Sequence, residues 1–196
     1  TCRKLIVTAG GWTDKLLAKI GLSLRITVTQ EQVTYFATPN LKEFAIGRFP
    51  TFIWEGDELV YGFPVYGEVA TKIGLDASGP VVDPDQRDFL PDPRREQRAI
   101  AWLKKYIPGF LGPILYTKTC QYSMPPDRGF VIDTLPGYPQ ISVFVGAGHA
   151  YKFAALFGKI LSELAIDGQT GYPIQAFRTN RPAITDPDFA LSFRTA

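Results

Sequence analysis

One stretch decides the fold: Gln140-Ile141-Ser142-Val143-Phe144-Val145-Gly146-Ala147-Gly148-His149-Ala150-Tyr151-Lys152-Phe153. Its first six residues are mostly apolar and close on a glycine turn, which is typical of a buried strand in a parallel sheet. We predict a helix from His149 to Ile166, because apolar residues then recur on one broad stripe: Phe153, Leu156, Phe157, Ile160, Leu161 and Leu164. Strand, turn and helix in this order predict a sheet of the dinucleotide-binding type.

The turn from Gly146 to Lys152 is a candidate site for an anion or a polar ring edge. The first backbone N–H groups of a helix lack partners within the helix and point outward. The alternative is a tight connection between strand and helix that binds nothing. The turn is not the G-x-G-x-x-G fingerprint, because Tyr151 stands where the third glycine would fall, and that fingerprint occurs nowhere in the chain.

The start of the chain shows the same pattern in a shorter form. Residues 4–10 form a β-branched apolar run that ends in glycines, which predicts a strand buried on both faces. Thr13 is the predicted N-cap of a helix over 14–20, and Gly21 ends that helix. A parallel strand needs neighbours, so we expect further strands of this sheet to come from outside the chain.

Between Leu24 and Leu75 the pattern changes to that of an antiparallel sheet. Apolar and polar residues alternate over 26–36, and short runs follow that are separated by Gly, Pro and acidic turns: 49–54, 59–63 and 70–75. A helix is then predicted from Pro93 to Tyr106, and strands return over 114–135. The inner face of that helix is predicted to be Ile100, Leu103 and Ile107.

The predicted fold class is therefore mixed α+β and α/β. It combines the remnant of a dinucleotide-binding parallel sheet and its helices with an antiparallel-sheet substrate domain. The antiparallel section stands between two parallel-type sections, which indicates an insertion into the parallel sheet.

The composition narrows the possible chemistry. The chain has 45% hydrophobic residues, 20% charged residues and a net charge of +2, and it shows no clustered basic face of the kind that binds nucleic acid. No apolar stretch approaches the ~20 residues that a membrane-spanning helix needs. One histidine and two cysteines, Cys2 and Cys120, cannot assemble a zinc site with several His or Cys ligands. Any catalytic chemistry would therefore come from a cofactor. Two cysteines are too few for a disulfide scaffold, so we expect reduced thiols and a cytoplasmic location.

Three local segments each have a functional and a structural interpretation. His149 and Lys152 are three residues apart and would share a helix face, where both could contact a bound cofactor. Alternatively, His149 forms a hydrogen bond at the helix start and Lys152 is a solvated surface residue. Cys120 is either a reactive thiol or a small buried hydrophobe. The segment Tyr61–Gly67 either walls a pocket or forms an aromatic hairpin, in which Lys72 would protect an edge strand.

Together and in this order, the segments resemble the monomeric sarcosine oxidase and N-methyltryptophan oxidase family, which are FAD-dependent amine oxidases. The matching segments are Leu5 to Trp12, Tyr61 to Asp76, Lys118 to Asp133, Gly146 to Phe153 and Phe177 to Pro182. The resemblance covers essentially the whole chain but only the C-terminal half of such an enzyme. It implies an FAD-binding domain over 1–25 and 114–196 and a substrate domain over 26–113.

The resemblance implies how the cofactor is held. It implies that Cys120 binds the flavin covalently through a thioether. The turn residues Gly146, Gly148 and His149 would lie against the cofactor, where a helix start suits the negative N1–C2=O edge of a reduced flavin. Lys152 would lie beside the ring edge and the carboxylate of the substrate.

The resemblance also implies the catalytic residues. Tyr61 and Tyr122 would border the substrate cavity, and Lys72 would activate dioxygen. Sarcosine-type members carry a histidine four residues after that lysine, where this chain has Asp76, so we predict a substrate other than sarcosine. The family's N-terminal half, with its glycine-rich ADP-binding fingerprint and an arginine for the substrate carboxylate, is missing from the sequence.

The implied reaction is the oxidation of a secondary or N-methyl amino acid. Hydride equivalents would pass to FAD, the resulting imine would hydrolyse, and dioxygen would be reduced to hydrogen peroxide. The expected partners are this small amine, O2 and the N-terminal half, which full FAD binding would need. Two alternatives stay open: a flavin dehydrogenase with another acceptor, and a non-catalytic truncated fragment or binding module. We expect the isolated chain to be inactive.

Overall fold

The computed structural model describes residues 1–193, which divide into two compact units. Unit 1 consists of Thr1–Thr29, Val81–Asp85 and the described chain from Gln121 onward, and unit 2 consists of Gln30–Pro80 and Gln86–Cys120. In chain order the elements are β1 (Leu5–Val7), α1 (Thr13–Ala18), β2 (Thr27–Phe36), β3 (Phe52–Glu55), β4 (Leu59–Phe63), β5 (Thr71–Leu75), α2 (Pro93–Tyr106), β6 (Ile114–Met124), β7 (Val131–Leu135), β8 (Tyr138–Val145), α3 (Ala154–Ile166) and α4 (Pro182–Thr185). The predicted mixed fold class is confirmed.

Unit 1 contains a three-stranded sheet in the order β1-β8-β7. β1 runs parallel to β8, with Leu5 opposite Ile141, while β7 is antiparallel to β8. Ile141, Val143 and Val145 of the central strand are buried. α3 packs four residues into a separate cluster with Ile132 of β7: Phe157, Ile160, Leu161 and Leu164. The apolar stripe that predicted α3 is therefore largely the buried face of the helix.

The prediction that the first strand is buried on both faces is wrong. Leu5 and Ile6 are 43% and 41% exposed, and only Val7 is buried. The reason is position, because β1 is an edge strand whose described neighbour is β8 on one side. Thr13 is likewise the first residue of α1 rather than its cap, which is Trp12.

Unit 2 is built on antiparallel strands in the order β3-β4-β5-β2-β6, of which β2 and β6 continue into unit 1. α2 occupies the predicted range, begins at the capping carboxylate of Asp92, and buries Ala99, Trp102 and Leu103. These residues pack with Ile73 of β5 in one apolar core. Ile100 and Ile107, which the pattern placed on the inner face, are partly buried against that core.

Helix α3 begins later than predicted. A short 3₁₀ turn, Tyr151–Phe153, precedes its first residue, Ala154. Phe153, the last residue of that turn, has φ −108° and ψ 12°, which lie outside the α-helical range, so the regular α-helix begins only after it. Within residues 1–193, no helix has the length and apolarity that crossing a membrane requires.

Candidate functional site

A cavity of about 360 Å³ lies in unit 1 where β1 and β8 end. Gly10 follows the last residues of β1, and Gly146 directly follows β8. In open α/β sheets, ligands bind beyond the carboxyl ends of the strands, and the volume is that of a small-molecule pocket. Six of the ten lining residues are glycine or alanine; the full set is Gly10, Gln121, Ser123, Phe144, Gly146, Ala147, Gly148, Ala150, Tyr151 and Ala154.

The glycine turn after β8 forms one wall of the cavity. Gly148 has a positive φ, and a Cβ at this position would lie 2.4 Å from the ring of Tyr122. A Cβ at Gly146 would lie 2.8 Å from the Cβ of Ala150. The predicted residues Gly146, Gly148 and Tyr122 are therefore brought together, and both glycines are needed for packing as well as for access to the cavity.

His149 and Lys152 leave the turn in other directions. The Nε2 atom of His149 is 3.1 Å from the carbonyl oxygen of Arg128, and its ring lies 4.6 Å from that of Phe130. The Nζ atom of Lys152 donates a hydrogen bond of 2.7 Å to the carbonyl oxygen of His149. Neither residue lines the cavity. Their assignment to the cofactor stays a prediction.

Lys72 lies on β5 of unit 2 among aromatic rings. In the strand register it stands opposite Tyr35 of β2 and Phe63 of β4. Its Nζ atom is 4.8 Å from the centre of the Phe63 ring and 5.6 Å from that of Tyr35. Within residues 1–193 this ammonium group forms no ion pair, so the ring faces stabilise its charge and leave it available to an anion.

Tyr61, on the neighbouring strand β4, covers Gly74, which lies two residues after Lys72 on β5. Lys72, Gly74 and Asp76 alternate along the chain and so face the same side of the sheet. Tyr61 stands opposite Gly74, and a Cβ at Gly74 would lie 2.5 Å from the Tyr61 ring. The backbone N–H of Asp76 donates to the carbonyl of Leu59, which continues the ladder. The predicted residues Lys72, Tyr61 and Asp76 are therefore brought together on one face.

Cys120 is the last described residue of unit 2 and lies, half-buried, on β6. Burial raises the pKa of its thiol, and the carboxylate of Glu31 raises it further. Arg87, Arg95 and Lys72 oppose this rise through their positive charges. The thiol is therefore protonated at neutral pH, and it lies within electrostatic reach of Lys72.

The sequence did not predict two residues of the cavity wall, Gln121 and Ser123, or a buried ion pair in unit 2. Gln121 and Ser123 line the cavity, and their spacing of two along β6 was the only signal that they share a face. Arg95 and Glu31 form a buried ion pair, with Nη2 to Oε2 at 2.5 Å and side-chain exposures of 3% and 2%. A charged residue in an amphipathic helix is ordinarily a surface residue, so nothing in the pattern of α2 distinguished Arg95.

The site residues are thus divided between the units. Unit 2 holds Lys72, Tyr61, Asp76 and Cys120, while unit 1 holds Tyr122, Gly146, Gly148, His149 and Lys152.

Comparison with known sequences identifies related proteins. The family profile described as FAD dependent oxidoreductase matches residues 1–164. Monomeric sarcosine oxidase from Arthrobacter sp. (strain TE1826) is 35% identical over 188 residues, which are 94% of this chain and 48% of that protein. N-methyl-L-tryptophan oxidase from Escherichia coli (strain K12 / DH10B) is 32% identical over 91% of this chain and 48% of its own length. The predicted resemblance is confirmed, and the chain spans about half the length of these curated relatives.

Solved structures give the same result. NikD, an unusual amino acid oxidase essential for nikkomycin biosynthesis, matches with a TM-score of 0.72 and 26% identity over 89% of this chain and 47% of that one. L-proline dehydrogenase from P. horikoshii matches with a TM-score of 0.71 and 19% identity, over 89% of this chain and 46% of that one. The second likeness establishes a shared fold alone.

Proposed function

This chain belongs to the family of FAD-dependent oxidoreductases, and we propose that it is the C-terminal half of a flavoprotein that oxidises secondary or N-methyl amino acids. The observation that carries the proposal is the glycine- and alanine-lined cavity beyond β1 and β8. In this proposal residues 1–25 and 114–196 belong to the FAD-binding domain, and residues 26–113 form the substrate domain.

The residues around the cavity fit the ring of a flavin. Small side chains allow a flat ring to approach the backbone closely, and Phe144 adds an aromatic surface. Ala154 is the first residue of α3 and Ala150 precedes it, and the partial positive charge at the start of a helix favours a polar, negative ring edge. The cavity suits a fused ring rather than a whole dinucleotide. An N-terminal half would supply the ADP-binding fingerprint that this sequence does not contain.

When bound, FAD would accept hydride equivalents from the carbon next to the amine nitrogen and would deliver electrons to dioxygen, giving hydrogen peroxide. The chain would supply placement and charge. Lys72 would stabilise the superoxide anion, because its ammonium group is held by rings instead of by a carboxylate. Tyr61 and Tyr122 would border the amine, and His149 and Lys152 would support the ring edge.

The substrate class follows from the relatives and from one departure. The names of two relatives give sarcosine and N-methyl-L-tryptophan as their substrates. In this chain Asp76 stands four residues after Lys72, where the sarcosine-type members have a histidine. Exchanging that group for a carboxylate changes the charge near the substrate and so should change which amines bind. We therefore place the substrate among N-methyl or cyclic secondary amino acids other than sarcosine.

Covalent attachment at Cys120 is a separate part of the proposal. Acid precipitation of the native protein that carries this chain should leave the yellow colour with the pellet. After Cys120→Ala the colour should appear in the supernatant, while Cys2→Ala serves as the matched control and should keep the colour in the pellet. A colourless pellet from the unaltered protein, with flavin in the supernatant, would exclude the thioether.

The proposed activity can be tested by following the flavin bands of the native protein. Anaerobic addition of N-methyl and cyclic secondary amino acids should bleach the visible bands, and air should restore them with formation of hydrogen peroxide. Bleaching followed by slow recovery in air would indicate a dehydrogenase with another acceptor. Bands that no amine in this class bleaches would contradict the proposed function.

A further inference from the structure

Two polar side chains reach the cavity from β6. Gln121 and Ser123 are two residues apart in the strand, so they point to the same side. Gln121 is anchored, because its Nε2 atom donates to the carbonyl oxygen of Pro84 at 3.4 Å, and its Oε1 atom packs against Gly11. Ser123 lies deeper, and only 8% of its surface is exposed.

The hydroxyl of Ser123 has no partner in the protein. Within residues 1–193 it forms no hydrogen bond, although it lines the cavity. The rest of the residue is buried, so the hydroxyl is the part of Ser123 that opens on the cavity, and its O–H is a donor that the described protein does not use. Gly10 faces the hydroxyl across the cavity wall, and a Cβ at that position would lie in van der Waals contact with the Ser123 oxygen, at 3.9 Å. The hydroxyl is therefore available to donate a hydrogen bond to a ligand in the cavity.

The rest of the wall indicates the chemistry of that ligand. Ala154, the first residue of α3, and Ala150 before it both line the cavity. The start of a 13-residue helix carries a partial positive charge, which favours an electron-rich or anionic group. The cavity contains no charged side chain among its described lining residues. Such a wall suits a polar ring edge that accepts hydrogen bonds, with apolar ring surface against Phe144.

We propose that the Ser123 hydroxyl donates a hydrogen bond to the polar pyrimidine edge of the flavin ring and thereby raises the reduction potential of the flavin. The proposal rests on the proposed function, because it takes the flavin as the occupant of this cavity. The sign follows from charge: a donor stabilises the more negative, reduced form of that edge better than the oxidised form. Ser123 is thus a cofactor-positioning residue with an electrostatic effect.

The test is the flavin midpoint potential of Ser123 variants of the native protein. Ser123→Ala should shift the reduction equilibrium about tenfold toward the oxidised form, which is a fall of about 30 mV for a two-electron couple. Ser123→Thr keeps a hydroxyl and should restore most of the potential, and Ser123→Cys, a weaker donor, should lie between Thr and Ala. The visible bands of the Ala variant should also shift.

Ser162→Ala is the matched control, because its hydroxyl bonds the carbonyl of Lys159 on the exposed side of α3. It should leave the potential and the bands unchanged. Equal potentials for the Ser, Thr, Cys and Ala forms would overturn the inference, as would an unchanged potential accompanied by a higher KM, which would direct the hydroxyl to the substrate. A native protein that binds no flavin would instead contradict the proposed function itself.

Discussion

Lys72 is the residue whose environment most directly suits the proposed chemistry. Its ammonium group lies over the rings of Phe63 and Tyr35, and a fixed cation in such a place stabilises an anion that forms beside it. Lys72→Met should slow the reaction of the reduced protein with dioxygen by roughly 10²–10³-fold and should change the amine-dependent half-reaction far less. Stopped-flow measurement of both half-reactions provides the check.

A second lysine offers a matched control for this experiment. Lys105 also lies over a ring, with its Nζ atom 4.7 Å from the centre of Tyr106 near the end of α2. Lys105→Met should leave both half-reactions unchanged. Equal slowing of the two half-reactions by Lys72→Met would remove the assignment of this lysine to dioxygen.

Gly148 combines two structural requirements. Its φ of 80° is unfavourable for other residues, and an added Cβ would overlap the ring of Tyr122. Gly148→Ala should lower the free energy of unfolding by about 1–3 kcal/mol in urea titrations. Gly158→Ala is the control, because Gly158 lies in α3 with open space around its Cβ position, and alanine should stabilise that helix by roughly 0.5–1 kcal/mol. Equal effects at the two sites would contradict the predicted packing.

The buried thiol of Cys120 should titrate at higher pH in the folded chain than in the unfolded chain. Burial raises its pKa first, and Glu31 adds to the rise. The thiol is free only where no flavin is attached, so the measurement uses chain prepared without flavin and carrying Cys2→Ala. In this chain the rate of alkylation by iodoacetamide should increase at higher pH in buffer than in concentrated urea. Because the folded pKa is the higher one, the thiol's contribution to stability is complete below the unfolded pKa and is lost as the pH rises through the folded value. Identical pH profiles with and without urea would contradict the buried position.

At the scale of elements, α2 is fixed to its sheet by a buried charge. Arg95 donates to Glu31 on β2 and also to the carbonyl oxygens of Gln30 and Leu75. Arg95→Met would leave the carboxylate of Glu31 uncompensated and should destabilise the chain by about 3–5 kcal/mol in urea. The exposed pair of Arg98 and Glu58, one turn further along α2, is the control, and Arg98→Met should cost about 0–1 kcal/mol.

The two helices show what a sequence pattern can and cannot determine. The bounds of α2 were predicted correctly because Asp92 and Pro93 are local start signals that act through the backbone itself. The start of α3 was placed five residues too early, since the non-helical backbone of Phe153 delays the helix and cannot be seen in the apolar stripe. The exposure of β1 was missed because burial of a strand depends on its neighbours, not on its own residues.

At the scale of the whole molecule, the family and its motifs could be predicted, whereas the polar lining of the cavity could not. The motifs around Lys72, Cys120 and Gly146 are short and ordered along the chain, so they are visible in sequence. Ser123 became a candidate only through its burial and its missing partner, which are properties of the folded structure. The burial of the Arg95 charge is likewise a property of the folded structure that the sequence does not show.

The central claim is that this chain contributes a binding cavity for a flavin. The visible absorption spectrum of the native protein, purified from the cells that make it, tests this claim most directly. We predict the two visible absorption bands of a bound oxidised flavin, retained through gel filtration. A protein that is colourless and stays colourless after incubation with FAD and renewed gel filtration would contradict the account.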